Sequence, residues 1–169
     1  MDDENTERWA AAEEGIERLQ EGDIEGAIEE LLRVVQAEPS NEYAHCFLGN
    51  AFYEQGRWEK ALRCYVSALG VAPRYLGALT GAGHCLRFLG EHEKAIRMGR
   101  QILAIDKDDP DGLYLLGTVF FQRGENAAAR GYLETFLLTS PEAEVAIEVE
   151  GMLEIIRGNL GELPTPEDD

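Results

Sequence analysis

The stretch LGNAFYEQGRWEKALRCYVSALGVAP, residues 48–73, sets two apolar segments on either side of Gly56 and closes on Pro73. Leu48 and Phe52, and then Leu62, Tyr65, Val66 and Leu69, recur at the spacing of one helix face. A glycine between two such segments suits a short turn that needs left-handed backbone. A proline at the end suits a helix terminus, because its ring blocks continuation. The stretch therefore reads as a hairpin of two helices.

The same hairpin repeats. Gly15, Gly49, Gly83 and Gly117 are 34 residues apart, as are Gly22, Gly56, Gly90 and Gly124, and Ala27, Ala61, Ala95 and Ala129. Pro39, Pro73 and Pro141 keep the same period, with Lys107 in the remaining slot. A fixed period kept through four units with no insertion is the signature of a repeat architecture. The pattern places helices at about 5–20, 24–37, 42–55, 58–70, 75–89, 92–105, 110–123 and 126–138. The first glycine of each unit, with the small alanine, lets the two helices of a hairpin approach closely. One hairpin cannot bury its apolar face alone, so stacking of neighbours must supply the core.

These residues resemble the tetratricopeptide repeat family. Residues 48–73 carry its Leu-Gly, aromatic, Gly, Ala, aromatic, Ala and Pro, and LGTVFFQRGENAAARGYLETFLLTSP, residues 116–141, matches nearly as well. Arg18 and Leu31 in the first unit, and Gly99 and Lys107 in the third, depart from it. The resemblance implies an all-α fold, a right-handed α-solenoid of helix-turn-helix hairpins. Repeats are expected at about 8–41, 42–75, 76–109 and 110–143, within one domain spanning 1–158. EAEVAIEVEGMLEIIRGNL reads as a capping helix over about 142–158, with Val145, Val149, Met152 and Ile156 on the stripe that covers the last repeat. Ile147 and Ile155 fall on another side and are candidates for a homodimer contact. Residues 159–169 read as a disordered acidic tail.

Net charge is −18 and unevenly placed. Residues 1–42 hold 14 acidic and 3 basic side chains, residues 142–169 hold 9 and 1, and the middle is nearly neutral. Both ends would repel a nucleic-acid backbone, and no basic stripe offsets them. Acidic ends favour solubility and can steer a basic partner. No apolar run reaches the roughly 18 residues that span a bilayer, so no membrane insertion is expected. The polar start MDDENTERW is unlike a signal peptide. A cytoplasmic location follows as the expectation, and three isolated cysteines without CxxC spacing fit reduced thiols there.

GAGHCLRFLGEHEKA, residues 81–95, brings His84, Cys85 and His92 close in sequence. Adjacent helical residues stand about 100° apart around the axis, and His92 lies beyond the Gly90 turn. The three do not converge on one ion, so no metal and no cofactor is expected. GxSxG, HExxH and GxxxxGK[ST] are all missing from the sequence. The expectation is a protein without catalytic residues, not an enzyme.

What the resemblance implies for binding is a concave surface lined by the first helix of each hairpin. Its slots are filled by Trp9 and Ile16; by Tyr43, Cys46, Asn50, Tyr53 and Glu54; by Gly77, Gly81, His84, Arg87 and Phe88; and by Asp111, Tyr114, Thr118 and Phe121. This suits a protein or peptide partner with apolar anchors, extended or helical. Gly77 and Gly81, one turn apart, read as the floor of a pocket for a bulky partner side chain. On that reading Gly81→Leu abolishes binding without unfolding the protein. Family members that clamp chaperone C-termini use Lys, Arg and Asn, but the matching slots here are Ala12, Ile16, Phe47, Gly77 and Gly81. The leading expectation is a protein-interaction adaptor. The alternative is a cytosolic chaperone for a secreted or aggregation-prone client, since VEGMLEIIRGNL and GHCLRFLGEHEKAI look similar to bacterial type III secretion translocator chaperones. A third reading fills the groove with the protein's own first helix.

Overall fold

Each hairpin turn solves the same backbone problem. The four glycines at the turns adopt φ of +83°, +68°, +76° and +72° at Gly22, Gly56, Gly90 and Gly124. The residue after each glycine donates its N–H to the carbonyl five residues back: Asp23 to Arg18 at 2.9 Å, Arg57 to Phe52 at 2.9 Å, Glu91 to Leu86 at 2.8 Å and Glu125 to Phe120 at 2.9 Å. That pairing satisfies a carbonyl that the end of the helix would otherwise leave open, and it requires the left-handed residue that glycine supplies.

A computed structural model describes residues 3–161, with side chains through residue 158. Among the described residues the elements run α1 (Asp3–Gln20), α2 (Ile24–Ala37), α3 (Glu42–Glu54), α4 (Trp58–Val71), α5 (Leu76–Phe88), α6 (His92–Ile105), α7 (Pro110–Gln122), α8 (Asn126–Leu137) and α9 (Ala143–Gly161). None is a strand, and no helix is long and apolar enough to cross a membrane. The expected all-α class and the 34-residue alternation are both present, with boundaries within about two residues of those read from the sequence. The last helix runs three residues beyond the expected 158. The rest of the acidic tail, 162–169, lies outside the described residues.

Proline is not what ends α6. With Lys107 in the proline slot, the Asp108 N–H donates to Asp106 Oδ1 at 3.1 Å and turns the chain locally. Asp109 then caps α7 by accepting from the Gly112 N–H at 2.9 Å, with Pro110 in the first turn, where a missing N–H costs nothing.

The sequence reads as one domain, while the chain divides into two compact units, one up to Met98 and one from Gly99, with the division inside α6. In the first unit α1 packs on both α2 and α3, so it is the first helix of a hairpin and not a plug in a groove. Asn41, fully buried, ties it in place. Its Oδ1 accepts from the Ala44 N–H at 3.0 Å and its Nδ2 donates to the Arg8 carbonyl at 2.8 Å. Arg8 also pairs with Glu42 at 2.7 Å.

The core of this unit is a small-on-large arrangement. Leu31 lies over Gly15 and the Tyr65 ring over Gly49, where an added Cβ would stand 2.5 Å and 2.7 Å from them. The same Tyr65 ring covers Gly81, and a Cβ there would also collide with it. Gly81 is therefore not the floor of a partner pocket; the chain's own Tyr65 occupies that space. A glycine inside a helix costs about 1 kcal/mol relative to alanine. Burying a large side chain returns about 2–3 kcal/mol, so the exchange favours the fold.

In the second unit the sizes are reversed at one contact. Gly99 takes the place of the expected aromatic, and Leu116 of α7 fills the space over it. Leu133 covers Gly117 as Leu31 covers Gly15. The capping helix α9 packs on α8 and buries Val149, Leu153 and Ile156. Val145 and Met152 are half-buried, and Leu153 joins the stripe that the sequence reading gave to those four residues.

Because Tyr65 leaves no room at Gly81, Gly81→Ala should lose about 1–3 kcal/mol of stability through overpacking. Gly77→Ala meets only ordinary contacts, the nearest at 3.4 Å, and should match or exceed the wild type. Urea unfolding of the two variants checks the contrast.

Candidate functional site

Trp9 and Tyr43 are one repeat apart, and the register puts Gly77 next. The gap at Gly77 is filled from two residues earlier: the Tyr75 ring passes 3.4 Å from where its Cβ would stand. Three aromatic rings consequently form a run. Trp9 meets Tyr43 edge to face at 5.2 Å, and Tyr43 meets Tyr75 at 5.8 Å. Trp9 also packs edge-on against Phe47 at 5.8 Å. Such T-shaped contacts set the positive edge of one ring on the negative face of the next. The Tyr43 hydroxyl donates to Asn5 Oδ1 at 2.6 Å and so holds its ring. Trp9 stays 41 % exposed.

Beside this run lies a cleft of about 430 Å³ lined by Asn5, Glu42, Tyr43, Pro73, Arg74 and Tyr75. A second hollow is lined by Asn5, Thr6, Trp9 and Tyr43. The sequence expectation names neither Asn5 nor Tyr75: Asn5 lies one turn before Trp9 on the same face of α1, and Tyr75 is the cap residue ahead of α5. The signal for Tyr75 was an aromatic just ahead of a bare glycine.

A second aromatic group includes Tyr53, Trp58 and Phe88. Trp58 stacks on Phe88 at 4.5 Å and 16°, and Tyr53 meets Trp58 at 4.9 Å. The Arg87 guanidinium stands 4.3 Å over the Phe88 ring, a cation–π contact. Tyr53 is half-buried, whereas Phe88 keeps 45 % exposure. Trp58 begins a second helix, outside the first-helix face that the resemblance implies for binding. Glu54 ends α3 in solvent.

Several candidate residues are unable to touch a partner. Ile16 and Cys46 are each 3 % exposed and lie in the core of the first unit. Thr118 is buried in the second unit, where its hydroxyl donates to the carbonyls of Tyr114 and Leu115 at 2.9 and 3.0 Å. Asn50 is half-buried, and its Oδ1 accepts from the Tyr65 hydroxyl at 2.8 Å, so it positions a core ring. In the second unit Tyr114 donates to Glu148 at 3.0 Å and packs on Phe136 at 5.3 Å. Phe121 is half-buried. Asp111 is exposed in the first turn of α7, its carboxyl raised by desolvation and by Asp109.

Burial pushes the thiols of Cys46 and Cys64 up to about 11 and that of Cys85 up to about 12. At neutral pH all three are protonated, and a protonated thiol is a poor nucleophile and metal ligand. Among the described residues no three His, Cys, Asp or Glu side chains come together to hold an ion. Burial, reinforced by Arg87, pulls His84 down to about 4. Its imidazole is neutral at pH 7.

Residues 40–108 match the family model described as tetratricopeptide repeat, and residues 15–56 match a model described as TPR repeat. Together the two matches cover 15–108, and the chain belongs to the tetratricopeptide repeat family. Its fold is that family's all-α solenoid. The bifunctional subunit NrfFG of the formate-dependent nitrite reductase complex of Haemophilus influenzae is 28% identical over 159 residues, which are 89% of this chain and 41% of that protein. The CTR9 homolog of Arabidopsis thaliana is 28% identical over 113 residues, 66% of this chain and 10% of that protein. The chain thus spans between a tenth and two fifths of the length of these curated relatives. Among solved structures, MamA superposes with a TM-score of 0.77 at 22% identity, covering 87% of this chain and 84% of MamA. The second TPR domain of human RPAP3, solved in complex with an HSP70 peptide, gives a TM-score of 0.63 at 20% identity over 68% of this chain and 97% of that domain. At these identities the structural likeness is one of fold.

His84 should make stability pH-dependent. Its folded value lies below that of the free side chain, so its contribution is present above about pH 6.5 and is lost as pH falls toward 4. His84→Gln should remove this dependence. The stability of the wild type relative to the variant should then fall by up to about 3 kcal/mol over that window, read from urea melts.

Proposed function

We propose that this chain is a non-enzymatic protein-interaction adaptor whose first unit takes a partner segment, extended or helical, by its apolar anchors. The observation that carries this reading is the run of Trp9, Tyr43 and Tyr75 beside an open cleft. Aromatic rings already fixed by each other and by Asn5 lose little freedom when a partner covers them. Exposed Trp and Tyr are also the side chains most often found to dominate binding energy. Tyr53, Trp58, Phe88 and Arg87 offer a second set of anchors in the same unit, with Glu54 near them in sequence to set register.

RPAP3 binds an HSP70 peptide through its TPR domain. A clamp for a terminal carboxylate needs cations, and the matching positions here are Ala12, Ile16, Phe47, Gly77 and Gly81. The partner class proposed is therefore apolar, with basic residues beside the anchors to suit the acidic residues 1–42.

Selection of displayed random peptides against the full chain tests this. Enriched sequences should carry aromatic or aliphatic anchors, and Trp9→Ala should weaken them at least tenfold while shifting the melting temperature little, because Trp9 is 41 % exposed. Selected peptides that bind Trp9→Ala and Phe88→Ala as tightly as the wild type would move the site off these aromatics.

A further inference from the structure

Gly151 and Gly158 extend both glycine registers by a fifth term, 34 residues beyond Gly117 and Gly124. By this register α9 corresponds to the first helix of a fifth hairpin. In three of the four earlier hairpins the glycine at this position is covered by a large side chain from the second helix, Leu31 on Gly15, Tyr65 on Gly49 and Leu133 on Gly117; the third has Gly99 at the covering position. Gly151 has open space: among the described residues nothing stands within 4 Å of where its Cβ would be. One turn to either side of it, Ile147 and Ile155 are 69% and 55% exposed. The three form one stripe, while Val149, Leu153 and Ile156 hold the opposite side of α9 in the core.

The sequence that follows does not keep the pattern of a second helix. In register, Pro164 and Pro166 stand where α8 has Arg130 and Tyr132, and Glu167 stands where Leu133 fills the seat. Proline opposes a helix interior, and a carboxylate does not fill an apolar seat. The edges of the stripe are acidic, with exposed Glu148 on one side and Glu150 and Glu154 on the other, and Arg157 is the one basic residue of α9. A second copy would set these carboxylates against each other.

We propose that the Ile147–Gly151–Ile155 face docks an amphipathic helix of a partner protein, which completes the fifth hairpin in trans. That helix lays a large apolar side chain on Gly151, as Leu133 lies on Gly117, and carries Lys or Arg beside its apolar stripe to pair with Glu148, Glu150 and Glu154. This surface is separate from the aromatic run of the first unit, so either can fail without the other.

The probe is a fluorescein-labelled peptide of residues Glu125–Leu138 carrying Glu125→Lys and Glu134→Lys, titrated against the full chain by anisotropy. It should bind saturably and weaken severalfold between 50 and roughly 300 mM salt, as opposite charges demand. The same peptide with its native glutamates should bind at least fivefold more weakly. Gly151→Leu fills open space, so it should keep the melting temperature and weaken binding at least tenfold. Ile155→Asp, at an exposed position, gives the same readout should Gly151→Leu fold poorly. Absence of saturable binding, or equal affinity in both variants, overturns the proposal. So does a wild-type dimer in sedimentation velocity that Ile147→Asp converts to monomer, since the face would then belong to a second copy.

Discussion

The Tyr65 ring packs against both Gly49 of its own hairpin and Gly81 of the next. Its hydroxyl donates to Asn50, so the buried phenol is not left without a partner. One side chain thereby sets how closely α4 approaches both α3 and α5. A Cβ at either glycine pushes the ring away, and a smaller residue at position 65 leaves two bare helices facing a void. Leu31 over Gly15 and Leu133 over Gly117 repeat half of this arrangement. Gly99 under Leu116 inverts it, with the small residue on the second helix and the large one on the following first helix. A large side chain still fills the contact while the helix that supplies it changes, which is how a repeat can depart from its pattern and keep a filled core.

The same logic of filled vacancies shapes the surface. Gly77 leaves a gap in the run of aromatics, and Tyr75 enters it from the cap of α5. The result is a continuous edge-to-face sequence from Trp9 through Tyr43 to Tyr75. Where no described residue enters the gap, as at Gly151, the helix keeps exposed isoleucines on either side of it. A filled glycine is closed off by the chain itself, and the unfilled one between two exposed isoleucines is the seat proposed for a partner helix.

Charge separates the two surfaces chemically. The aromatic run has Glu42 and Arg8 paired at its edge, so its recognition rests on rings and shape. The stripe on α9 is bounded by exposed acids on both sides, so the recognition proposed for it depends more on the sign of what approaches and on ionic strength. The buried thiols of Cys46 and Cys85 and the neutral imidazole of His84 belong to neither surface. Their shifted titration follows from burial inside hairpins, and they fill volume.

The 34-residue period, the turn glycines and the apolar spacing are local properties, and from them the sequence by itself determined the helices, their hairpin pairing and the family. It also placed Trp9, Tyr43, Tyr53 and Phe88 where they are exposed or half-buried. It misassigned Gly81 as the floor of an open pocket, and it overlooked Trp58, Tyr75 and the fifth glycine register. A glycine in a sequence records only that a side chain is missing. What fills the space comes from Tyr65, sixteen residues away in the chain, or from nothing at all, and neither case leaves a mark in the local pattern. Only the tertiary structure decided which vacancies were closed, because closure depends on which side chains the stacked helices bring together.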